Sequence, residues 1–168
     1  MSSVLVLGGA RSGKSMFAES LVRDASNSPV YLATARAGDD EMQARISLHQ
    51  QQRGDGWLTI EEPLALVEVL RNEAHGKRAI LVDCLTLWLS NLMMADADIA
   101  AESKALADCV GELKVPVVFV SNEVGQGIVP ADKMSRDFRD YSGRLHQMMA
   151  AACNEVWFVT AGLPQKLK

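Results

Sequence analysis

The 168-residue chain has little cysteine and no concentrated positive charge, and each shortage excludes a class of protein. The formal net charge is −4, and no block or tail of lysine and arginine occurs. A nucleic-acid-binding protein needs a positive stripe facing the phosphates, so we expect no nucleic-acid partner. The three cysteines, Cys84, Cys109 and Cys153, form neither a C-x-x-C pair nor a metal-binding spacing. They are typical of reduced core thiols, which favours a cytoplasmic protein.

Long hydrophobic runs are also missing from the sequence. No apolar stretch approaches the roughly 18–20 residues that span a bilayer, and the first residues lack the charged region of a signal peptide. No linker, internal repeat or low-complexity tract interrupts the chain. With 48% hydrophobic and 23% charged residues the composition is that of a globular protein. We therefore expect residues 1–168 to form a single domain.

Short apolar runs alternate with amphipathic segments along the chain. The runs are rich in Val, Ile and Leu without polar alternation, as in a parallel sheet covered on both faces. The predicted strands are Val4–Leu7, Val30–Ala33, Ala79–Val82, Val117–Ser121 and Val156–Thr160. This alternation predicts an α/β fold, a mostly parallel sheet flanked by helices. A last strand, Gln165–Lys168, would follow a turn and pair antiparallel at the C-terminal edge.

The segment "GGARSGKS" fits the phosphate-loop pattern G-x-x-x-x-G-K-[ST] at every fixed position. A predicted strand precedes it and a helical pattern follows it, so the alternative of an ordinary glycine turn is disfavoured. Backbone N–H groups of such a loop, with the helix N-terminus, cradle phosphates. The expected nucleotide-binding residues here are Gly8, Gly9, Ala10, Arg11, Ser12, Gly13, Lys14 and Ser15. In this pattern Lys14 reaches the β- and γ-phosphates as a catalytic cation, and Ser15 is a ligand of Mg²⁺.

A second element supports a P-loop NTPase-like domain. The apolar run "AILVD" ends in Asp83, the arrangement in which a carboxylate assists Mg²⁺. Ala33, Thr34 and Ala35 follow the second predicted strand, and ligands of open α/β sheets collect outside the carboxyl ends of strands. The N-K-x-D motif that reads guanine in signalling GTPases is absent, so the chain is not one of those.

Seven segments now make the chain recognisable. In order they are "GGARSGKS", "YLATA", "DDEMQARISLHQQQRGDGWLTIEEP", "LVDCLTLWLSNLM", "SNEVGQGIVP", "FRDYSGRLHQ" and "AACNEVWFVTAGLPQKLK". Together they closely resemble the bifunctional adenosylcobinamide kinase / adenosylcobinamide-phosphate guanylyltransferase family of cobalamin biosynthesis. The resemblance runs from Val4 to Lys168, and the His49 segment and "SNEVGQGIVP" are its most specific parts. In one departure, His146 stands where the family usually has Asn.

The resemblance implies two reactions. The family phosphorylates the hydroxyl of the aminopropanol arm of adenosylcobinamide with ATP or GTP. A histidine then attacks the α-phosphate of GTP, expels pyrophosphate and passes GMP to the phosphorylated corrinoid, giving adenosyl-GDP-cobinamide. The matching histidine is His49. The resemblance also implies Mg²⁺ as cofactor, a small-molecule corrinoid substrate and a homo-oligomer, a trimer in the best-described member.

The chemistry of histidine agrees with a role for His49 as a nucleophile, although the alternative is a solvated surface histidine with no catalytic role. Imidazole, with a pKa of about 6.5, is largely neutral at cytosolic pH and suits a nucleophile. The resemblance adds nucleotide contacts at Gln50, Gln51, Gln52, Arg53 and Glu61. For Arg53 a plain surface charge remains the alternative to a bidentate phosphate contact.

Two competing functions stay open on the sequence alone. One is a simple P-loop small-molecule kinase in which His49 is idle, and the other is a nucleotide-binding regulatory or assembly protein. Only the bifunctional enzyme would become covalently labelled, and a regulatory protein would not consume nucleotide.

Asn122 and Glu123 end a predicted strand before a loop containing Gly125 and Gly127 that would be able to move over substrate. Arg136, Arg139 and Arg144 fit either salt bridges on a solvated helix or binding of the anionic substrate.

Overall fold

The computed structural model describes residues 2–35 and 56–168, and within these two stretches seven strands form one sheet with five helices. The strands are β1 (Ser3–Gly8), β2 (Val30–Ala33), β3 (Leu58–Glu61), β4 (Ile80–Asp83), β5 (Val117–Asn122), β6 (Glu155–Thr160) and β7 (Leu163–Lys166). The helices are α1 (Lys14–Ala25), α2 (Leu66–Glu73), α3 (Leu85–Met94), α4 (Ile99–Val110) and α5 (Lys133–Ala152). None of the helices in these stretches is both long enough and apolar enough to cross a membrane.

The sheet has the strand order β3-β2-β4-β5-β1-β6-β7. All neighbours pair in parallel except β6 and β7, which are antiparallel. The expected α/β fold with an antiparallel C-terminal edge is therefore confirmed. The last strand begins at Leu163, earlier than the sequence suggested, because Ala161 and Gly162 adopt positive φ angles of 52° and 78° and turn the chain at once. Pro164 is tolerated because β7 is an edge strand.

Two apolar cores cover the two faces of the sheet. One face, with residues such as Leu5 and Phe119, packs against α2, α3, α4 and α5. The other face, with residues such as Val6 and Leu81, packs against α1 through Ala18 and Val22. Burial on both faces explains why the central strands are continuously apolar rather than alternating. The connection between α3 and α4 is short, and the Asp98 side chain caps α4 by accepting from the Ala101 amide at 3.0 Å.

The strand order fixes where chemistry can occur. Strand β5 lies between β4 and β1, with Asn122 opposite Gly8 and Val120 opposite Asp83. Because the strands are parallel, their carboxyl ends meet at one edge of the sheet. The loop after β1, the acidic end of β4 and the polar end of β5 therefore lie side by side.

Candidate active site

The loop Gly8–Ser15 turns directly from β1 into α1. Gly13 is the residue before the helix and has a φ of 94°, a conformation that side chains rarely adopt. Lys14 is the first helical residue, and its Nζ donates to the Gly9 carbonyl at 3.1 Å. Only 9% of the lysine is exposed, so its charge is held against the loop rather than in solvent. This places a cation and unpaired helix N–H groups at one anion-binding position.

Two glycines of the loop have steric reasons to be glycine. A Cβ on Gly8 would lie 2.5 Å from Ser12 Oγ and 2.6 Å from the Val159 carbonyl oxygen. A Cβ on Gly13 would lie 3.0 Å from the Gly162 Cα, and the Gly162 amide donates to the Ser12 carbonyl at 2.8 Å. The phosphate loop is therefore packed against β6 and the turn that follows it. A Cβ on Gly9 would meet no atom within 4 Å among the described residues outside its chain neighbours.

Lys14 and Asp83 are electrostatically linked. Burial lowers the pKa of Lys14, while the neighbouring Cys84 and Asp83 oppose that shift. Burial, together with Asp83, raises the pKa of the Cys84 thiol to about 11, so this thiol is neutral near pH 7. Asp83 is therefore the negative charge that favours protonated Lys14. The cysteine prediction is confirmed, since all three thiols are buried and unpaired.

Asp83 is oriented by a partner that the sequence did not reveal. The Tyr31 hydroxyl, on β2, donates to Asp83 Oδ2 at 2.9 Å. Ser15 lies half-buried in the first turn of α1. Mg²⁺ in nucleotide sites is commonly held by one or two protein oxygen donors together with waters and substrate phosphates. A serine hydroxyl and a carboxylate oxygen fit that requirement, so Ser15 and Asp83 are suitable ligands for the ion.

Thr34 has a structural task at the same edge. Thr34 is fully buried, and its Oγ1 donates to the Cys84 carbonyl at 2.7 Å. Thr34 Oγ1 also accepts a hydrogen bond from the Cys84 amide at 2.9 Å. Asn91 Nδ2 donates to the Thr34 carbonyl at 2.8 Å. The hydroxyl thus joins the ends of β2 and β4. Ala33 is buried and Ala35 half-buried beside it, at the carboxyl end of β2.

The remaining expected contacts divide into two groups. Glu61 is exposed at the end of β3 and pairs in register with Ala33, which places it at the same sheet edge but beyond β2. The predicted nucleophile His49, and the predicted contacts Gln50, Gln51, Gln52 and Arg53, lie outside the described residues. Their roles remain predictions.

A buried polar network at the end of β5 was not foreseen. His146 on α5 lies with Nε2 2.7 Å from Ser121 Oγ and with Nδ1 3.8 Å from Glu123 Oε2. Thr86 Oγ1 lies 3.3 Å from Ser121 Oγ and accepts from the Asn122 amide at 2.7 Å. No sequence pattern signals these contacts, because they join β5 to residues on α3 and α5 that are far away in the chain.

The segment between β5 and α5 is partly fixed by an arginine. Arg136 Nη1 donates to the carbonyls of Pro130 and Ala131 at 3.0 Å and 2.6 Å. Arg139 lies 3.8 Å from Asp140. The Arg139 contact is a salt bridge of the expected kind, whereas the Arg136 contacts are to backbone carbonyls instead. Asn122 Oδ1 is buried without a hydrogen-bond partner among the described residues, an uncommon state for a buried polar atom.

A parallel sheet with a phosphate loop after β1 and a carboxylate at the end of β4 defines a P-loop NTPase fold. Solved structures agree. The flagellar accessory protein FlaH from Methanocaldococcus jannaschii is 13% identical with a TM-score of 0.55, covering 99% of this chain and 78% of that chain. The P4 protein from bacteriophage phi6, solved in complex with ADP, is 16% identical with a TM-score of 0.53, covering 98% of this chain and 54% of that chain.

Sequence comparison narrows the class to a family. A family model described as cobinamide kinase / cobinamide phosphate guanyltransferase matches residues 4–167. The bifunctional adenosylcobalamin biosynthesis protein CobP of Pseudomonas aeruginosa is 50% identical over 166 residues, covering 98% of this chain and 96% of the relative. The bifunctional protein CobU of Escherichia coli is 41% identical over 180 residues, covering 98% of this chain and 99% of the relative. The chain belongs to this family and is a bifunctional cobinamide kinase and guanyltransferase of adenosylcobalamin biosynthesis.

Proposed function

We propose that this enzyme phosphorylates the aminopropanol hydroxyl of adenosylcobinamide with ATP or GTP and then transfers GMP from GTP through a covalent guanylyl-histidine at His49. The products of the second reaction are adenosyl-GDP-cobinamide and pyrophosphate. The observation that carries the proposal is the family match over residues 4–167 of a chain whose phosphate loop and Asp83 share one sheet edge. The simple kinase and the regulatory protein are the outcomes that the experiment must exclude.

In the kinase step the protein positions the triphosphate and neutralises its charge. The substrate oxygen bonds to the γ-phosphorus, the bond from that phosphorus to the β–γ bridging oxygen breaks, and the nucleoside diphosphate leaves. Lys14, held over the loop, stabilises charge on the β- and γ-phosphates. Bound Mg²⁺ would neutralise phosphate charge, and Ser15 and Asp83 are the residues that would hold it.

The guanylyl step needs a nucleophile because a different phosphorus atom reacts. A neutral His49 ring nitrogen would bond to the α-phosphorus of GTP while the bond to the α–β bridging oxygen breaks and pyrophosphate leaves. A phosphate oxygen of the phosphorylated corrinoid then bonds to that phosphorus, the phosphorus–nitrogen bond breaks and His49 is restored. The nucleotide contacts proposed beside it are those at Gln50, Gln51, Gln52, Arg53, Glu61 and Ala33–Ala35.

We also propose that residues 1–168 act as one domain in a cytoplasmic homo-oligomer, a trimer. The family match supports the corrinoid substrate, and the oligomer is proposed from the resemblance described above. Sedimentation equilibrium of the purified chain measures the mass directly, and the monomer mass of 18.2 kDa sets the scale.

The intermediate is tested by labelling. Incubation with α-labelled GTP and Mg²⁺, without corrinoid, should give labelled protein and free pyrophosphate. The label should be lost in mild acid and survive alkali, since a phosphorus–nitrogen bond is acid-labile. γ-Labelled GTP should leave no such label, because the γ-phosphate departs within pyrophosphate. Adenosylcobinamide phosphate should discharge the label into product.

Histidine variants identify the nucleophile. His49→Ala should lose the label and guanylyl transfer while retaining cobinamide phosphorylation, which needs no covalent intermediate. His75→Ala is the matched control, because His75 is an exposed histidine after α2. An acid-stable adduct, or a label that persists in His49→Ala, would contradict the proposal. An active kinase with no label would support the simple kinase.

A further inference from the structure

The end of β5 lies at the centre of the sheet edge formed by the carboxyl ends of the parallel strands, where the phosphate loop begins. Strand β5 separates β4, which ends at Asp83, from β1, which leads into the phosphate loop. Glu123 follows the last residue of β5, and its amide donates to the Gly8 carbonyl at 3.0 Å. Its backbone is therefore joined to the first residue of the phosphate loop. Glu123 therefore follows the strand that lies between the one leading to Lys14 and the one ending at Asp83.

The Glu123 carboxylate is held from two sides. Oε1 accepts a hydrogen bond from the Gly125 amide in the loop that follows β5. Oε2 lies 3.8 Å from His146 Nδ1, an electrostatic contact longer than a hydrogen bond. The side chain is 20% exposed, so the carboxylate is fixed but still reachable. One oxygen is used by the loop, and the other retains lone pairs for a further donor.

The carboxylate of Glu123 decides which nitrogen of the neutral His146 ring carries the proton. Burial lowers the pKa of His146, with Glu123 opposing that shift, so the ring is neutral near pH 7. Nε2 lies 2.7 Å from Ser121 Oγ and 3.5 Å from Ser142 Oγ, and either hydroxyl can donate to it. The proton of the ring then sits on Nδ1 and faces Glu123. The reverse arrangement would aim a lone pair at a carboxylate, which is unfavourable.

We propose that Glu123 is the carboxylate that binds the substrate hydroxyl and accepts its proton in the kinase step, and that His146 is its positioning residue. This inference rests on the proposed kinase reaction. The hydroxyl proton moves to Glu123 Oε2 as the substrate oxygen bonds to the γ-phosphorus and the bond to the bridging oxygen breaks. The protonated Glu123 releases the proton to solvent after the nucleoside diphosphate leaves.

Other described carboxylates at this edge are less suited to the task. Asp83 accepts from Tyr31, acts electrostatically on Lys14 and occupies the position of a metal ligand. Glu61 ends β3, separated from β5 by β2 and β4, which corresponds to roughly 14 Å at about 4.8 Å per strand. Glu62 accepts from the amides of Leu64 and Ala65 before α2. Among these, only Asp83 and Glu123 lie at the ends of central strands, and Asp83 is the expected Mg²⁺ ligand, which leaves Glu123 for the substrate hydroxyl.

The test of Glu123 separates the two reactions of the enzyme. Glu123→Gln keeps an acceptor for the Gly125 amide, so the loop geometry is retained, but an amide cannot take the proton. The kcat for phosphorylation of adenosylcobinamide should fall about 10²-fold with the nucleotide KM little changed. Guanylylation by GTP and transfer to ready-made adenosylcobinamide phosphate should stay near wild type, since no substrate hydroxyl reacts there. Glu68→Gln, on the exposed face of α2, is the matched control.

The results distinguish failure of this inference from failure of the proposed function. A Glu123→Gln kinase kcat within about threefold of wild type would overturn the role of Glu123 while leaving the bifunctional enzyme intact. Equal loss of both reactions would also overturn it, because it would indicate damage to the common nucleotide site. A wild-type protein unable to phosphorylate adenosylcobinamide would reject the proposed function itself.

His146 is tested with two amide variants that each keep one side of the ring. The Nδ2 of His146→Asn occupies roughly the place of Nδ1 and can donate toward Glu123. The amide of His146→Gln reaches instead toward Ser121, in place of Nε2. We expect His146→Asn to keep most of the kinase kcat and His146→Gln to lose about tenfold, with similar thermal stability and unchanged nucleotide KM. Equal kcat values in the two variants would show that His146 acts only through packing and would overturn its positioning role.

Discussion

At the scale of single residues, two nitrogen bases are buried where the strands end. Lys14 donates to the Gly9 carbonyl, and His146 Nε2 lies 2.7 Å from the Ser121 hydroxyl. Burial disfavours the charged form of both groups, and it lowers both pKa values. The two lowered pKa values have different consequences. Lys14 still faces the anion-binding loop, whereas His146 is buried on the face of α5 that packs against β5. The first is suited to a charged ligand and the second to acting as a neutral hydrogen-bonding group.

The lowered pKa of His146 predicts acid destabilisation. In the unfolded chain a histidine binds a proton near pH 6.5, whereas the folded protein binds it only at lower pH. As pH falls below about 6.5 the unfolded state therefore holds more protons, and the free energy of unfolding decreases. Urea denaturation at about pH 7.5 and about pH 5.5 should show a smaller loss in His146→Asn than in wild type. His75→Asn, an exposed control, should behave as wild type, and identical losses in all three would contradict the prediction.

The sequence predicted those site residues that belong to a motif of a few consecutive positions. The phosphate loop and Asp83 are recognisable because the pattern and its flanking strand lie within a few residues. Tyr31, Thr86 and His146 carry no such signal, since each finds its partner only when separate strands and helices come together. The positions of Ser15 and Asp83 at one edge follow from strand order, which the sequence did not specify.

At the scale of elements, the edge is held together by a hydrogen-bonded latch between β2 and α3. Thr34, just after β2, bonds both backbone groups of Cys84, the residue before α3. Asn91 on α3 bonds back to the Thr34 carbonyl. The predicted strands match the observed ones most closely at the centre of the sheet, where burial on both faces dictates continuous apolar residues. At the exposed edge strand β7 the pattern is weak, and its start was misplaced.

Removing the latch hydroxyl should destabilise the fold. Thr34→Val retains the shape of the side chain but leaves the buried Cys84 amide without its acceptor, while the Cys84 carbonyl keeps only the Trp88 amide. We expect the free energy of unfolding to fall by about 2 kcal/mol, within the usual cost of leaving buried groups unsatisfied. Thr59→Val makes the same change at an exposed position on β3 and should alter stability by less than about 0.5 kcal/mol. Denaturant unfolding measures both, and equal effects would contradict the latch.

At the scale of the whole molecule, nucleotide binding and global stability are linked. The phosphate loop begins on the central strand β1 and is packed against β6 and the turn at Gly162. A ligand that binds there only in the folded state should stabilise the entire fold. The size of that effect follows from mass action.

Mg²⁺ with a triphosphate at about 100 times its Kd should raise the free energy of unfolding by about 2.7 kcal/mol. Lys14→Ala should lose this stabilisation and both reactions, because the triphosphate is no longer held. Thermal melting with and without nucleotide, and with a chelator, measures the effect. Lys114→Ala, an exposed lysine before β5 at the opposite edge, should respond as wild type. Undiminished stabilisation of Lys14→Ala would refute the role of the loop.

The central place of β1 also has a consequence for the order in which the protein is made. Residues 3–15 leave the ribosome early, whereas the neighbours of β1 are β5 and β6, and the Gly162 amide that supports the loop is later still. A nascent chain therefore carries the phosphate-loop sequence before the neighbouring strands and the turn that pack against the loop have been made. Triphosphate binding must await nearly the whole of translation, so a stalled or truncated product is left with no formed site for the nucleotide.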